Sequence, residues 1–362
     1  MPRIHSLTLY CPSLSQLEQS KAKSIKGPKV FVDIIAKAEN HQAIQAGIKA
    51  LIKNDAYQSP SKGHFWYRIK NLQGSFEGVL TGVLTTIEAQ DITTHEAVLE
   101  QRVELFSDYL NDVGFQAEPV LLMHENNDAA AALGKQVKAR KADFNYHLDT
   151  ELHQLWVLNK QEAFSLSHFC KQEQQFHLAD GHHRYASTLN TGRINGNTPL
   201  LFSFLVAKDQ VQNHAFTWAI KDQQLADQLL QNISSESICD KAAATIEIKI
   251  KDNHIYSKAT KALTECNYIV EKLLGISAQQ KIDLKSFIDY YPSGTLGHKN
   301  AKAYPAIVNY KPLSLDKIIA LAKAQKILPP KSTYILPKLP TGLCFYFFGR
   351  RPNKIKFSDG EV

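Results

Sequence analysis

Cysteine is scarce in this chain of 362 residues and is not clustered. The five thiols are far apart in the sequence, at Cys11, Cys170, Cys239, Cys266 and Cys344. No pair has the C-x-x-C spacing of a zinc knuckle, and an odd number of cysteines is not typical of a disulfide-stabilised fold. The cysteine content therefore favours a reducing, cytoplasmic compartment.

Long uncharged runs are also missing. No window of about 18 residues is free of charged side chains, as a membrane-spanning helix would require. The opening sequence "MPRIHSLTLYCPSLSQ" lacks the continuous apolar segment of a signal peptide. The chain is 44% hydrophobic and 21% charged, which is the composition of an ordinary globular protein. We expect a soluble intracellular protein with no membrane partner.

A concentrated basic segment of the kind that binds nucleic acid is likewise not evident. Lysine and arginine number 42 against 35 acidic residues, a net charge of +7, but they are spread along the chain apart from the segments "GKQVKARKADF" and "GRRPNKIKF". We find neither a helix-turn-helix pattern nor a strongly basic helix. The basic excess is equally compatible with a phosphorylated small ligand, so nucleic acid is the less favoured partner.

The hydrophobic pattern predicts a mixed α/β fold. The segments "HFWYRI" and "SFEGVLTGVLTTIEA" are rich in β-branched and aromatic residues and predict a β-hairpin. The segment "TTHEAVLEQRVELFSDYLNDVG" has apolar residues every four then three positions and predicts a helix that stops at Gly114. A strand pattern, "EPVLLMH", follows it. We expect an N-terminal α/β region over residues 1–125 and a second region over residues 126–362.

The densest cluster of chemically active side chains is "HLADGHHRYAST", residues 177–188, where an apolar strand pattern runs into a helix. Gly181 permits a tight turn that places the following amides at a helix start, and such a corner attracts anions. His182, His183 and Arg184 add hydrogen-bond donors, and a guanidinium can clamp two phosphate oxygens at once. The pattern predicts a phosphate-binding site.

Asp180 precedes this glycine and adds a carboxylate that would repel phosphate unless a metal ion, a proton or an alcohol lies between them. We therefore predict that Asp180 holds Mg²⁺ or orients a hydroxyl. Two other interpretations stay open. One is a helix cap with solvated neighbours. The other is a zinc site, although the spacing matches no common one, with the ligands Cys170, His177, His182 and His183.

Two further segments carry candidate site residues. Glu96 lies near the start of the predicted helix, where it can be a general base for a hydroxyl or, with Thr93, part of an S/T-x-x-E capping box. The loop "PPKSTYILPK" offers the ammonium of Lys331 and the hydroxyls of Ser332 and Thr333 to phosphate oxygens. The alternative for this loop is a solvated basic segment.

These segments occur in an order that resembles the free L-serine kinases: "HE", then "EPVLL", "LADGHHR" and "PPKST". With the segments "FSFLVAKD" and "PPKSTYILPKLPTGL" included, the chain is similar to a larger bacterial family related to those kinases. It covers about residues 75–348. The resemblance implies a ParB/sulfiredoxin-like α/β core with additional N-terminal and C-terminal α/β regions.

The resemblance also implies an activity, the transfer of a phosphoryl group from ATP or ADP to the hydroxyl of free L-serine with Mg²⁺ assisting. Glu96 is then the base on the serine hydroxyl, and the neighbouring His95 binds the substrate. Asp180 is the second catalytic carboxylate and the metal ligand. The nucleotide phosphates are held by the other predicted residues, which are Gly181, His182, His183, Arg184, Lys331, Ser332 and Thr333. All three segments are expected to converge on one pocket.

Two alternatives use the same core without this reaction. A ParB-like regulatory or DNA-associated protein would bind a nucleotide at the same corner, and its duplex binding would weaken steeply with salt. A sulfiredoxin-like repair enzyme needs a reactive cysteine, whereas His182 stands at the corresponding position. Because the motif contains no thiol, that chemistry lacks its nucleophile.

Overall fold

The chain is divided into two compact units. The computed structural model describes residues 3–13, 27–58, 62–84, 91–125, 127–195, 200–233, 237–250, 253–259, 263–276 and 284–348. Unit 1 comprises Met1–Ile92, Glu100–Val211 and Pro337–Val362, and unit 2 comprises Thr93–Leu99 and Gln212–Leu336. The domain boundary expected between residues 125 and 126 falls within unit 1 and stays a prediction.

Unit 1 contains a large sheet and most of the longer helices. Its strands before residue 212 are β1 (Arg3–His5), β2 (Cys11–Pro12), β3 (Tyr57–Gln58), β4 (Phe65–Asn71), β5 (Gly74–Leu84), β6 (Ile92–Thr93, at the change to unit 2), β7 (Phe115–Gln116), β8 (Val120–His124), β9 (Phe144–Leu148), β10 (Glu151–Val157), β11 (Phe176–Asp180) and β12 (Leu201–Ala207). Its helices are α1 (Gly27–Lys37), α2 (His41–Lys53), α3 (Glu100–Val113), α4 (Asn127–Val137), α5 (Lys160–Gln172) and α6 (His182–Asn195).

Nine of these strands form one sheet in the order β6-β11-β8-β12-β5-β4-β10-β9, with β1 also paired to β5. β8 and β12 run parallel, whereas β11 and β8, β12 and β5, β4 and β5, and β10 with both its neighbours run antiparallel. This mixed sheet with its helices confirms the predicted α/β class. The predicted hairpin is β4 and β5, joined by a tight turn at Leu72 and Gln73.

Helix packing in unit 1 follows the apolar pattern of the sequence. Trp66 of β4, Leu133 of α4 and Phe169 of α5 belong to one buried apolar cluster. α6 is more polar and packs against α3. Its hydroxyl side chains are satisfied within the helix, since Oγ1 of Thr188 donates to the carbonyl of Arg184 at 2.9 Å. Such back-bonding lets a polar helix lie in a buried position.

Unit 2 contains an antiparallel sheet. Its strands are β13 (Gln212–His214), β14 (Phe216–Ile220), β15 (Ile246–Ile250), β16 (Asn253–Ser257), β17 (Ile288–Pro292), β18 (Ala306–Tyr310) and β19 (Tyr334–Leu336). Its helices are α7 (Gln223–Gln231), α8 (Glu265–Asn267, followed by a π-helix at Tyr268–Leu273), α9 (His298–Ala301) and α10 (Leu315–Lys323). The five-stranded order is β16-β15-β18-β14-β17, and β13 pairs with β19. The last strand of the chain, β20 (Tyr346–Phe347), returns to unit 1 and pairs with β7.

The helix predicted from the "TTHEAVLEQR" segment is shorter than expected. α3 begins at Glu100, several residues after the predicted start. Its end is confirmed, because Gly114 has a φ of +71° and closes the last turn. Among the described residues, no helix combines the length and the apolar character that crossing a membrane requires.

The segment before α3 is extended and pairs with a distant part of unit 2. The amide of Leu328 donates to the carbonyl of His95 at 2.7 Å, and the amide of Ala97 donates to the carbonyl of Leu328 at 3.0 Å. These bonds use backbone groups that a helix would need. The capping-box interpretation of Thr93 and Glu96 is therefore wrong.

The burial of the cysteines predicts their reactivity. Cys239 is partly exposed and the other four are buried. Burial raises the pKa of Cys170 and of Cys266 to about 12 and that of Cys344 well above its usual value. Because thiol reagents attack an accessible thiolate, we expect Ellman's reagent at neutral pH to modify one thiol rapidly in the native protein. Cys239→Ser should remove this rapid phase. Two or more rapid thiols in the native protein would contradict the described packing.

Candidate active site

The "ADGHHR" motif forms a corner between a strand and a helix in unit 1. β11 ends at Asp180, after a register shift in its pairing with β8, and α6 begins at His182. Gly181 has a φ of +97°, and a Cβ at this position would lie 2.9 Å from Cγ1 of Val120. Its carbonyl accepts the first helical bond, from the amide of Tyr185 at 2.9 Å. The positive φ and the overlap of a Cβ with Val120 both require glycine at this corner, and α6 starts at the next residue.

The guanidinium of Arg184 is held by four oxygen atoms of unit 1. Nη2 lies 2.9 Å from Oδ2 of Asp180 and 2.9 Å from Oε1 of Glu118. Nη1 donates to the carbonyl of Pro119 and, at 3.2 Å, to the carbonyl of Glu118. Arg184 therefore ties the end of β11 to the segment that precedes β8.

Asp180 receives a cation on each of its carboxylate oxygens. Arg184 contacts Oδ2, and Nζ of Lys338 donates to Oδ1 at 2.6 Å. The side chains of Asp180 and Lys338 are 32% and 41% exposed. Hydrogen bonds between charged groups are among the stronger ones in proteins. The two contacts therefore fix the direction in which a partly exposed carboxylate points.

Sequence reasoning assigns no role to three residues that complete this network, Glu118, Lys338 and Thr341. Oγ1 of Thr341 donates to Oε2 of Glu118 at 2.7 Å. All three lie in segments that carry the family resemblance, "EPVLL" and "PKLPTGL", so that resemblance is the signal that could have found them. We call the five residues Glu118, Asp180, Arg184, Lys338 and Thr341 the Asp180 network.

The histidines of the motif lie at different depths. His177 of β11 is buried, and its Nε2 lies 3.1 Å from Oε1 of Glu125. His182 is 7% exposed, and His183 is half-buried. Cys170 packs in the apolar cluster of unit 1. In the part of the chain that the structure describes, no three His, Cys, Asp or Glu side chains are grouped to hold a metal ion, so the zinc interpretation gains no support there.

A second group of predicted residues lies together in unit 2. Oγ1 of Thr333 donates to Oε2 of Glu96 at 3.4 Å, and Nε2 of His95 lies 3.4 Å from the same hydroxyl. His95 is 1% exposed and Thr333 is 9% exposed, whereas Glu96 is half-buried. Thr333 is 237 positions from Glu96 in the sequence, yet the two residues share one hydrogen-bonded cluster with His95.

The "PPKST" loop is a turn whose shape is fixed from inside unit 2. Lys331 has a φ of +64°, and Oγ of Ser332 donates to the carbonyl of Pro329 at 2.6 Å. The hydroxyl of Tyr310 lies 3.2 Å from the carbonyl oxygens of Lys331 and Ser332. Burial holds the pKa of Tyr310 well above its usual value, so the hydroxyl keeps its proton. Nζ of Lys331 lies 5.7 Å from the centre of the Phe216 ring.

The predicted residues thus form two groups in different units. The Asp180 network and the histidines of the motif belong to unit 1, and the cluster around Glu96 belongs to unit 2. Side-chain contacts join Asp180 to Arg184 in unit 1 and join Thr333 to Glu96 and His95 in unit 2. That both groups act on one substrate stays a prediction.

A cavity of about 570 Å³ lies beside the Asp180 network in unit 1. Its wall is mostly apolar and includes Leu105, Phe106 and Leu110 of α3 as well as Glu118 and Arg184. Leu105 and Phe106 are 68% and 44% exposed, so the cavity opens to solvent. Its volume is that of a site for a small organic molecule.

The chain matches a protein-family model that is described as "Protein of unknown function (DUF1015)". The match extends over residues 18–273, which is well over half of the sequence. The chain belongs to this family. No curated protein matches the sequence.

Three solved structures that this DUF1015 member resembles have low sequence identity to it. SbnI from Staphylococcus aureus, with a C-terminal truncation, has a TM-score of 0.44 and 15% identity, and the match covers 71% of this chain and 84% of that one. A free serine kinase in complex with AMP has a TM-score of 0.41 and 14% identity, with coverages of 72% and 95%. A conserved hypothetical protein from Pyrococcus furiosus has a TM-score of 0.41 and 12% identity, with coverages of 71% and 95%. At this level of similarity, roles have to be assigned from the contacts of this chain.

Gly181→Ala tests the geometry of the corner. We expect the variant to lose about 2–4 kcal/mol of unfolding free energy, because backbone strain of about 1–3 kcal/mol adds to the overlap with Val120. Gly294→Ala is a matched control, since Gly294 has a φ of +82° but nothing within 4 Å of a Cβ. It should lose the strain contribution alone. Urea unfolding of both variants gives the two values, and equal losses would show that Val120 does not restrict the corner.

Proposed function

We propose that this protein is a small-molecule kinase that transfers a phosphoryl group from ATP or ADP to the hydroxyl of free L-serine. The observation that carries this proposal is the Asp180 network, in which a partly exposed carboxylate is held by two cations at a glycine corner that opens a helix. Phosphoryl transfer asks a protein mainly to position groups and to stabilise charge on the transferred oxygens. The resemblance of the motifs to the free L-serine kinases supports the choice of acceptor.

In this proposal the start of α6 binds the phosphates of the donor. The helix dipole favours an anion at this end of α6. His182 and His183 begin the same turn and supply further donors beside Gly181. The phosphate chain then lies next to Asp180.

Asp180 is the residue that would hold Mg²⁺. A carboxylate and phosphate oxygens are the ligands that Mg²⁺ prefers, and this ion usually binds through one or two carboxylates plus substrate phosphates. The single partly exposed carboxylate of Asp180 fits that donor set, provided that Oδ1 exchanges its contact with Lys338. When bound, Mg²⁺ would neutralise charge on the phosphate oxygens.

Glu96 is the base in this proposal. The serine oxygen forms a bond to the terminal phosphorus of the donor, the bond from that phosphorus to the leaving ADP or AMP breaks, and the hydroxyl proton passes to the Glu96 carboxylate. Thr333 positions the carboxylate through its hydrogen bond, and His95 contributes to serine binding beside it. Lys331 supplies a positive charge from the "PPKST" turn, whereas the hydroxyl of Ser332 is used to shape the turn.

Phosphorus NMR of the protein with serine, Mg²⁺ and either ATP or ADP tests the reaction. We expect O-phosphoserine to form with at least one donor. Glu96→Gln and Asp180→Asn should each lower kcat by about 100-fold or more, because each removes a charged group from the reacting atoms. Glu104→Gln and Asp108→Asn make the same chemical changes at exposed positions on α3 and should leave kcat unchanged. A folded wild-type protein that is inert with both donors would overturn the proposal.

We place the nucleoside of the donor in the cavity of unit 1. The cavity of about 570 Å³ shares Arg184 and Glu118 with the Asp180 network, so a nucleoside in it is next to the proposed phosphate site. Serine is far smaller than the cavity and would leave most of it empty. The apolar wall suits the planar face of a base, which can be buried against aromatic and aliphatic side chains.

Leu105→Trp makes this placement measurable by fluorescence. Leu105 lines the cavity and is 68% exposed, so the larger side chain can be accommodated there. We expect ADP to change the emission of the variant beyond its effect on the native tryptophans, which are Trp66, Trp156 and Trp218. Leu72→Trp places the same reporter at a residue that is 91% exposed in the β4–β5 turn and should not respond. Equal responses from the two variants would exclude the cavity as the nucleoside site.

A further inference from the structure

Arg184 already uses its hydrogen-bonding capacity inside unit 1. Its two terminal nitrogens contact the carboxylates of Asp180 and Glu118 and two backbone carbonyls, those of Glu118 and Pro119. If the guanidinium turned to a ligand, Glu118 would lose the contact with its cation, Asp180 would lose one of its two cations, and two backbone carbonyls would lose a donor. Leaving a partly buried charge without its partner costs more than an exposed ion pair contributes. The contacts of Arg184 therefore suit a fixed positioning group.

Lys338 occupies a different position in the same network. Its ammonium contacts the other oxygen of Asp180, at 2.6 Å, and its side chain is 41% exposed against 25% for Arg184. A lysine side chain is a flexible four-carbon stem with a compact charge that can be aimed in several directions. Asp180 keeps its contact with Arg184 when Lys338 moves. Moving the Lys338 ammonium from Asp180 to a ligand thus breaks fewer of the described contacts than moving the Arg184 guanidinium would.

We propose that Lys338 is the residue of unit 1 whose side chain contacts the transferred phosphoryl group, and that Arg184 positions Asp180 without contacting the donor. This inference rests on the proposed kinase function and assigns to Lys338 the phosphate-binding role predicted for Arg184. Before the donor binds, the two cations balance the carboxylates of Asp180 and Glu118. When the phosphates arrive at the start of α6, the ammonium of Lys338 leaves Oδ1 for a phosphoryl oxygen. The contact released is replaced by another charge-assisted hydrogen bond, so the exchange is energetically accessible.

Lys338→Met tests the inference by removing the charge while keeping most of the stem. We expect the dissociation constant for the donor, measured by titration calorimetry with ADP and with ATP, to rise about 10- to 100-fold, the effect of one charge-assisted hydrogen bond. The melting temperature should change little, because the lost ion pair is partly exposed. Lys338→Arg keeps the charge and should restore most of the affinity. With active protein, KM for the donor should rise more than kcat falls.

Lys138→Met is the matched control for this variant. Lys138 follows α4 and forms an ion pair with Glu77 in unit 1, with 28% of its side chain exposed. The control therefore removes a comparable lysine ion pair at residues that have no part in the Asp180 network. It should bind ADP with the wild-type affinity. If Lys138→Met and Lys338→Met lose affinity to a similar extent, the loss is due to general destabilisation and the inference is overturned.

Arg184→Lys completes the comparison because it keeps one positive charge but loses the planar fork. A positioning group should show its loss in stability and kcat, with the dissociation constant for ADP changed less than in Lys338→Met. If Arg184→Lys loses affinity for ADP and Lys338→Met retains it, the inference is wrong and Arg184 is the residue that contacts the phosphate.

The outcomes separate this inference from the proposed function. Wild-type protein that binds ADP or ATP, with Lys338→Met binding both nucleotides as well as the wild type does, overturns the role of Lys338 and leaves the kinase proposal standing. Wild-type protein that binds ADP in a Lys338-dependent manner but phosphorylates no serine supports the phosphate contact and counts against the acceptor. Wild-type protein that binds neither ADP nor ATP overturns both.

Discussion

The site in unit 1 depends on one planar guanidinium. Arg184 donates to Asp180, to Glu118 and to the backbone that precedes β8, and so it joins a strand end, a helix start and a neighbouring segment. A guanidinium can make these contacts simultaneously because its donors are fixed in one plane. Without it, two carboxylates would lie close together with no cation between them. Gly181 brings Arg184 to this position, because its φ of +97° allows α6 to begin at His182, two residues after Asp180.

Charge balance explains how an anionic ligand can be attracted to a place that contains two carboxylates. Arg184 and Lys338 compensate the charges of Asp180 and Glu118, so that the dipole of α6 can favour an anion. Thr341 holds the second oxygen of Glu118 and keeps that carboxylate in place. In unit 2 the turn that carries Lys331 is shaped by the buried hydroxyl of Tyr310. In both units, then, polar contacts fix the side chains that are proposed to act.

Local sequence patterns predicted much of the architecture. The β4–β5 hairpin, the end of α3 at Gly114 and the strand, glycine and helix of the motif all depend on residues that are close in the chain. The start of α3 was predicted wrongly, because the capping pattern at Thr93 and Glu96 competes with backbone pairing to Leu328. That pairing joins residues more than 230 positions apart, and a local pattern contains no information about it.

The sequence by itself determined the elements and the corner, since alternation of apolar residues and the conformational freedom of one glycine act over a few neighbouring residues. The partners of the site residues were decided by tertiary structure alone. Lys338 reaches Asp180 from 158 positions away, Thr341 reaches Glu118 from 223 positions away, and Thr333 reaches Glu96 from 237 positions away. A charged side chain reveals its role through the groups within hydrogen-bond distance, and folding of each unit is what brings those groups together.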